Sequence, residues 1–248
     1  MSDIFRVLLL LGFMAGSYLL GSVNSAVLIS RTFLKSDVRE SGSGSAGTTN
    51  MLRTGGALPG VLTLLCDCLK GLIASMAGRI LLFNMAFSGI CAAENSFFCT
   101  NELVSSIVSP MGLAIIMGFC SMLGHIFPIF FGFKGGKGVA TALTVMLSAD
   151  WRAALMALGV FIIMLALSKY VSLGSIMAAF SVPFFMFLNI YVFDNIPFNQ
   201  VIVISALSAV PMALLIFMHR SNIGRLLKGT ENKFAIGNSK NKQEEDHA

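Results

Sequence analysis

Apolar runs of about 20 residues recur along this chain, parted by short polar stretches, and such runs fit inside a bilayer as helices. They fall at about 4–30, 57–83, 110–131, 138–149, 153–168, 171–193 and 199–218. A soluble core cannot absorb them: the chain is 56% hydrophobic and 12% charged, against about 25% charged in soluble domains. The pattern predicts an all-α membrane protein, a seven-transmembrane-helix bundle. The first run is too long for a signal-peptide core and reads as an uncleaved span. Two runs are short. At 1.5 Å per residue, 138–149 and 153–168 reach about 18 and 24 Å against a hydrocarbon core of about 30 Å. They cross where the bilayer is thinned or form a partly buried hairpin. Residues 1–237 are expected to form one transmembrane domain, and 238–248 a polar, disordered tail.

With so few ionisable residues, their side of the membrane is informative. Loop 31–56 carries Arg31, Lys35, Arg39 and Arg53. Lys134, Lys137, Lys169, Arg220, Arg225, Lys228 and Lys233 follow on the same side. Loop 84–106 has no Lys or Arg and loop 150–152 has one, Arg152. This asymmetry predicts the N-terminus outside and the C-terminus cytoplasmic. No internal repeat is visible, which argues against a transporter built from two related halves.

Three basic, polar segments then lie on one face. The Lys-Gly loop runs from His125 to Gly138, with Gly132, Gly135, Gly136 and Gly138 around Lys134 and Lys137. Glycine admits positive φ and close approach to N–H groups, and a helix starting at Val139 would complete a nest for an anion. A plain cytoplasmic turn is the other reading of this loop. Residues 41–53 form a Gly, Ser and Thr run ending in Arg53, and 219–231 form a third segment. Their donors suit phosphate oxygens, Arg bidentately and Lys as a point charge. The expected phosphate-binding positions are Gly42, Gly44, Gly47, Thr49, Asn50, Gly135, Gly136, Gly138, Arg225 and Glu231.

Familiar nucleotide motifs fail. Gly42-x-Gly44-x-x-Gly47 lacks a strand–turn–helix setting, and Lys137 is followed by Gly138 rather than Ser or Thr. Cys66-Asp67-Cys68 lacks zinc spacing, so no metal or cofactor is expected. Cys91 and Cys99 share a polar loop in which an oxidising compartment would allow a disulfide. Asp67 and Lys70, at i,i+3 inside the second run, can pair on one helix face. Ser172 and Ser175 open the sixth run on the cytoplasmic side.

Taken together, these segments resemble the acyl-phosphate-dependent glycerol-3-phosphate acyltransferases, the PlsY family of bacterial inner-membrane enzymes. The resemblance rests on Gly21-Ser22-Val23-Asn24, Gly42-Ser43-Gly44 through Arg53, and Asp67-Cys68-Leu69-Lys70-Gly71. It extends through Gly124-His125-x-Phe127-Pro128 to Lys137-Gly138-Val139-Ala140-Thr141, and through His219-Arg220-x-Asn222-Ile223-x-Arg225 to Glu231. It implies acyl transfer from acyl phosphate to the 1-hydroxyl of glycerol 3-phosphate, giving lysophosphatidic acid and phosphate. Both substrates and the bilayer are then partners, with no nucleic acid and no obligate protein partner. The family's catalytic set falls on Ser43, Arg53, Lys137, His219 and Asn222, plus Ser172 or Ser175, with Asp67, Lys70 and His125 in support. The usual Gly-Asn-Pro-Gly-Ala-Thr-Asn is here Gly44-Ser45-Ala46-Gly47-Thr48-Thr49-Asn50.

Overall fold

A computed structural model describes residues 2–88 and 97–233, apart from the Cys99 side chain, and every regular element in it is helical. The Cys91–Cys99 pairing and the 238–248 tail lie outside these residues. The helices are α1 (Asp3–Gly21), α2 (Ser25–Phe33), α3 (Thr48–Gly55), α4 (Ala57–Met76), α5 (Phe97–Thr100), α6 (Glu102–Ile107), α7 (Pro110–Ile126), α8 (Val139–Ala149), α9 (Trp151–Ser168), α10 (Val171–Phe193), α11 (Phe198–Met218) and α12 (Arg220–Leu227). A π-helical segment, Ala77–Phe87, prolongs α4. Six helical stretches among the described residues are long and apolar enough to cross a membrane: Asp3–Phe33, Ala57–Phe87, Pro110–Phe131, Trp151–Ser168, Val171–Phe193 and Phe198–Met218.

The first stretch is not the continuous helix expected over 4–30. It breaks at Ser22–Asn24, where the Asn24 side chain accepts from the Val27 N–H at 3.2 Å and so caps α2. The break frees the Val23 carbonyl, which accepts from Lys70 Nζ at 3.1 Å. A buried lysine on α4 thereby closes a gap in the backbone bonding of α1–α2, as a lipid-embedded chain requires.

Helix α7 sits at the middle, packed against α1, α4 and α8, while α10 lies between α9 and α11. Helix α8 is only 11 residues long, about 16 Å. It nevertheless joins opposite ends of the bundle. It starts beside Lys137, whose partner Asn222 shares Glu231 with Ser172 at the start of α10. It ends at Asp150, next to Arg152, which pairs with Asp194 at the far end of α10, 2.7 Å away. The preceding loop returns to the end of α7 before α8 begins, since Gly135 and Gly136 donate to the Ile126 and His125 carbonyls. Arg79, on the π-helical segment, donates to the terminal carbonyls of α8 at Ser148 and Ala149, a cation at the negative end of the helix. The sequence reading passed over Arg79 and gave α8 no cap.

Candidate functional site

The Lys-Gly loop is held by its own backbone. Phe133 donates to the Pro128 carbonyl at 2.9 Å, Gly135 to Ile126 at 3.1 Å and Gly136 to His125 at 3.2 Å. This differs from the open nest expected there, because the Gly135 and Gly136 N–H groups already have acceptors. Their lack of side chains serves close approach instead. A Cβ on Gly135 would lie 1.9 Å from the His125 carbonyl oxygen, and one on Gly136 would lie 2.2 Å from His125 Nε2 and 2.6 Å from the Ala46 oxygen. The N–H groups of Lys137 and Gly138 have no acceptor among the described residues. Lys134 is exposed, whereas Lys137 is half-buried.

Lys137 Nζ donates to Asn222 Oδ1. Asn222 Nδ2 donates to Glu231 Oε1 at 2.7 Å, Ser172 Oγ to the same oxygen at 2.8 Å, and Arg225 Nε to Glu231 Oε2 at 2.7 Å. Asn222 and Arg225 are three residues apart on one side of the short α12, and His219 precedes its first residue at the junction with α11. His219 Nδ1 lies 2.8 Å from the Leu215 oxygen. That contact needs Nδ1–H and leaves the Nε2 lone pair free. Of the two serines, Ser172 joins this network, whereas Ser175 donates to Val171 O one turn below.

Burial pulls the Lys137 ammonium down to about 8; Glu231 opposes this, and the Arg225 and Arg53 cations add to it. Burial likewise takes His219 down to about 4, against the Leu215 carbonyl bond and with Lys137 adding to the fall, so the imidazole is neutral near pH 7. Burial alone would raise the Glu231 carboxyl, but the hydrogen bonds from Asn222, Ser172 and Arg225 hold it below the usual carboxylate range.

The Ser-Gly loop lies against the Lys-Gly loop. Arg39 grips Asp37 through Nε and Nη2, at 2.9 and 2.8 Å, and its Nη1 donates to the Phe131 and Lys134 carbonyls at 2.8 and 3.2 Å. Arg39 thus stitches the two loops together, a part the sequence reading missed because it counted this residue only as a topological charge. Asn50 is buried and fully engaged: its Nδ2 donates to Val38 O and Ser41 O, both at 3.0 Å, and its Oδ1 accepts from the Ser43 N–H at 2.9 Å. Gly44 and Gly47 N–H groups bond to Ser41 O and Ser45 O. The amide of Asn50 and the N–H groups of Ser43, Gly44 and Gly47 are therefore not free donors. Gly42 takes a φ of +61°, and a Cβ there would lie 2.3 Å from Asn50 Oδ1. The side chains of Ser43, Thr49 and Arg53 remain exposed.

Beneath both loops lies a buried polar cluster. Asp67 Oδ1 takes Ser25 Oγ at 2.5 Å and Lys70 Nζ at 3.0 Å, with His125 Nδ1 at 3.4 Å. The i,i+3 pair expected at Asp67 and Lys70 is present, and Ser25 and the imidazole are additions to it. Among the described residues no group of three or more His, Cys, Asp or Glu is placed to hold a metal.

The profile of the family described as glycerol-3-phosphate acyltransferase matches residues 11–229. A glycerol-3-phosphate acyltransferase of Methylococcus capsulatus is 40% identical over 215 residues, covering 87% of this chain and 91% of that protein. One from Trichlorobacter lovleyi is 40% identical over 220 residues, covering 89% and 95%. The crystal structure of PlsY, an integral membrane glycerol 3-phosphate acyltransferase, in its glycerol 3-phosphate form, is similar with a TM-score of 0.67 at 34% identity, over 91% of this chain and 96% of that one. Its lysophosphatidic acid form gives 0.65 at 34% identity, over 92% and 96%.

Proposed function

The chain belongs to the glycerol-3-phosphate acyltransferase family of integral membrane enzymes, and we propose that it transfers a fatty acyl group from acyl phosphate to the sn-1 hydroxyl of glycerol 3-phosphate. The observation that carries this reading is the set of phosphate-compatible groups gathered at one end of the bundle. Lys137, Asn222, Ser172 and Arg225 share one network, with Arg53 close enough to depress the Lys137 ammonium. A basic surface beside lipid-facing helices suits one soluble substrate and one with a hydrocarbon tail.

In this mechanism the glycerol hydroxyl oxygen attacks the acyl carbonyl carbon, the bond from that carbon to the phosphate oxygen breaks, and inorganic phosphate leaves. Lys137 and Arg53 screen the repulsion between the two phosphates. Ser43 and the second Nδ2 hydrogen of Asn222 add neutral donors, whereas the Ser172 hydroxyl is spent on Glu231. Glu231 cannot donate to phosphate; it holds Asn222, Ser172 and Arg225 in place. His219, a weak base at about 4, orients the hydroxyl through Nε2, and the departing phosphate takes the proton. Holding the hydroxyl against the acyl carbon supplies much of the rate, since oriented groups reach effective molarities of about 10⁵–10⁸ M.

The reading places this end of the bundle at the cytoplasmic face of a bacterial inner membrane. The N-terminus is outside, α8 joins the six longer stretches as the fourth of seven crossings, and residues 1–237 act as one catalytic domain followed by the 238–248 tail. Purified protein given palmitoyl phosphate and glycerol 3-phosphate should release phosphate and lysophosphatidic acid only when both are present. Turnover with palmitoyl-CoA but not with palmitoyl phosphate would overturn the donor assignment.

A further inference from the structure

The buried cluster beneath the Lys-Gly loop lies outside the reaction described above, yet it is built with care. Asp67, Lys70 and His125 are 2%, 5% and 4% exposed, in helices that cross the membrane, where ionisable groups are expensive and usually tied to function. Lys70 has a structural task, since its ammonium satisfies the Val23 carbonyl at the break between α1 and α2. Asp67 neutralises that ammonium and receives Ser25 from the start of α2. His125 is needed for neither.

The imidazole faces two ways. Nδ1 points to Asp67 Oδ1 at 3.4 Å, and the opposite edge abuts Gly136, where an added Cβ would lie 2.2 Å from Nε2 and 2.9 Å from Cε1. The His125 carbonyl also accepts the Gly136 N–H. One residue therefore both tethers and backs the position before Lys137. On the other flank, Thr141 Oγ1, in the first turn of α8, donates to the Asp67 carbonyl at 3.3 Å. Lys137 thus lies between two contacts to this cluster, one from Gly136 to His125 and one from Thr141 to the Asp67 backbone.

We infer that His125, packed between Asp67 and Gly136, is a positioning residue that sets where Lys137 points, acting on the substrate phosphate only through the Gly135–Gly136 turn. This rests on the reading of Lys137 as a phosphate-binding cation.

A double-mutant cycle tests it. His125→Ala should lower kcat/KM for glycerol 3-phosphate by roughly 10²-fold, the scale of an ångström-sized misplacement. In a Lys137→Ala background the same change should cost no more than about twofold, because residues acting as one unit are not additive. Where alanine fails to fold, His125→Asn keeps a polar side chain beside Asp67 but withdraws the ring edge from Gly136. It should show the same loss and the same coupling. An equal loss in both backgrounds makes His125 ordinary packing and overturns this inference alone. A Lys137→Ala enzyme as active as the unmodified protein overturns the site reading and this inference together.

Discussion

Gly136→Ala is a one-methyl perturbation whose effect can be worked from the structure. The backbone φ at Gly136 is not in the left-handed region, so the residue is not needed for its conformation. The obstacle is contact: the new Cβ would sit 2.2 Å from His125 Nε2 and 2.6 Å from the Ala46 oxygen. Neither neighbour yields cheaply. His125 is buried between Asp67 and the loop, and the Ala46 oxygen belongs to backbone in a loop stapled by Asn50. The Lys-Gly loop must therefore move outward by the better part of an ångström, carrying Lys137 with it. Displacement on that scale costs roughly 10²-fold in kcat/KM, or about 2.7 kcal/mol of barrier. Gly132→Ala is the matched control. Its φ of +67° penalises alanine, but nothing lies within 4 Å of the added atom. It should cost about 1–2 kcal/mol of stability and leave activity at saturating substrate intact. Initial rates in the same detergent, with thermal unfolding run alongside, separate the two. Near-normal kcat/KM in a folded Gly136→Ala enzyme would refute the claim that the loop is wedged against His125.

Four further outcomes follow from the same geometry. Lys137→Ala should cost roughly 10²–10³ in kcat/KM, the scale for losing one preorganised charge-stabilising donor, and exposed Lys134→Ala much less; equal effects would mean the wrong lysine is in the site. Because burial lowers the Lys137 ammonium to about 8, the free enzyme loses that charge as pH rises past 8, so KM for glycerol 3-phosphate should climb there, and Lys137→Arg should flatten the climb. His219, at about 4, should contribute no limb to the pH–rate profile between pH 5 and 8; a limb in that range that vanishes in His219→Ala would make the histidine a general base. Arg79→Met strips a charged donor from two carbonyls at the end of α8 and should lower stability by about 1.5–3 kcal/mol, read as a fall in Tm with KM unchanged.

Much of this molecule is legible in its sequence, for physical reasons that can be named. Spans such as Val171–Phe193 and Phe198–Met218 announce themselves because lipid tolerates only long apolar helices there. The three basic segments stand out because ionisable residues are so rare. What stayed hidden depends on partners distant in the chain. The break at Ser22–Asn24 holds because Lys70, 47 residues away, donates to the Val23 carbonyl that the break exposes. Arg79 vanished inside an apolar run, since only the fold brings the end of α8 to it. The glycines at 135 and 136 read as an open nest because sequence shows a missing side chain but not what occupies its space. Ser172 and Ser175 are indistinguishable by pattern, and only Glu231, folding back from beyond α12, separates them.

The proposed chemistry has acyl phosphate as the donor and Lys137 helping to hold the reacting phosphates. The most direct measurement supplies purified enzyme in lipid with palmitoyl phosphate and glycerol 3-phosphate carrying ¹⁸O in the sn-1 hydroxyl. The label should appear in the ester of lysophosphatidic acid, with one unlabelled phosphate released per product, and turnover should collapse in Lys137→Ala. Label in the released phosphate, or undiminished turnover without the lysine, would contradict it.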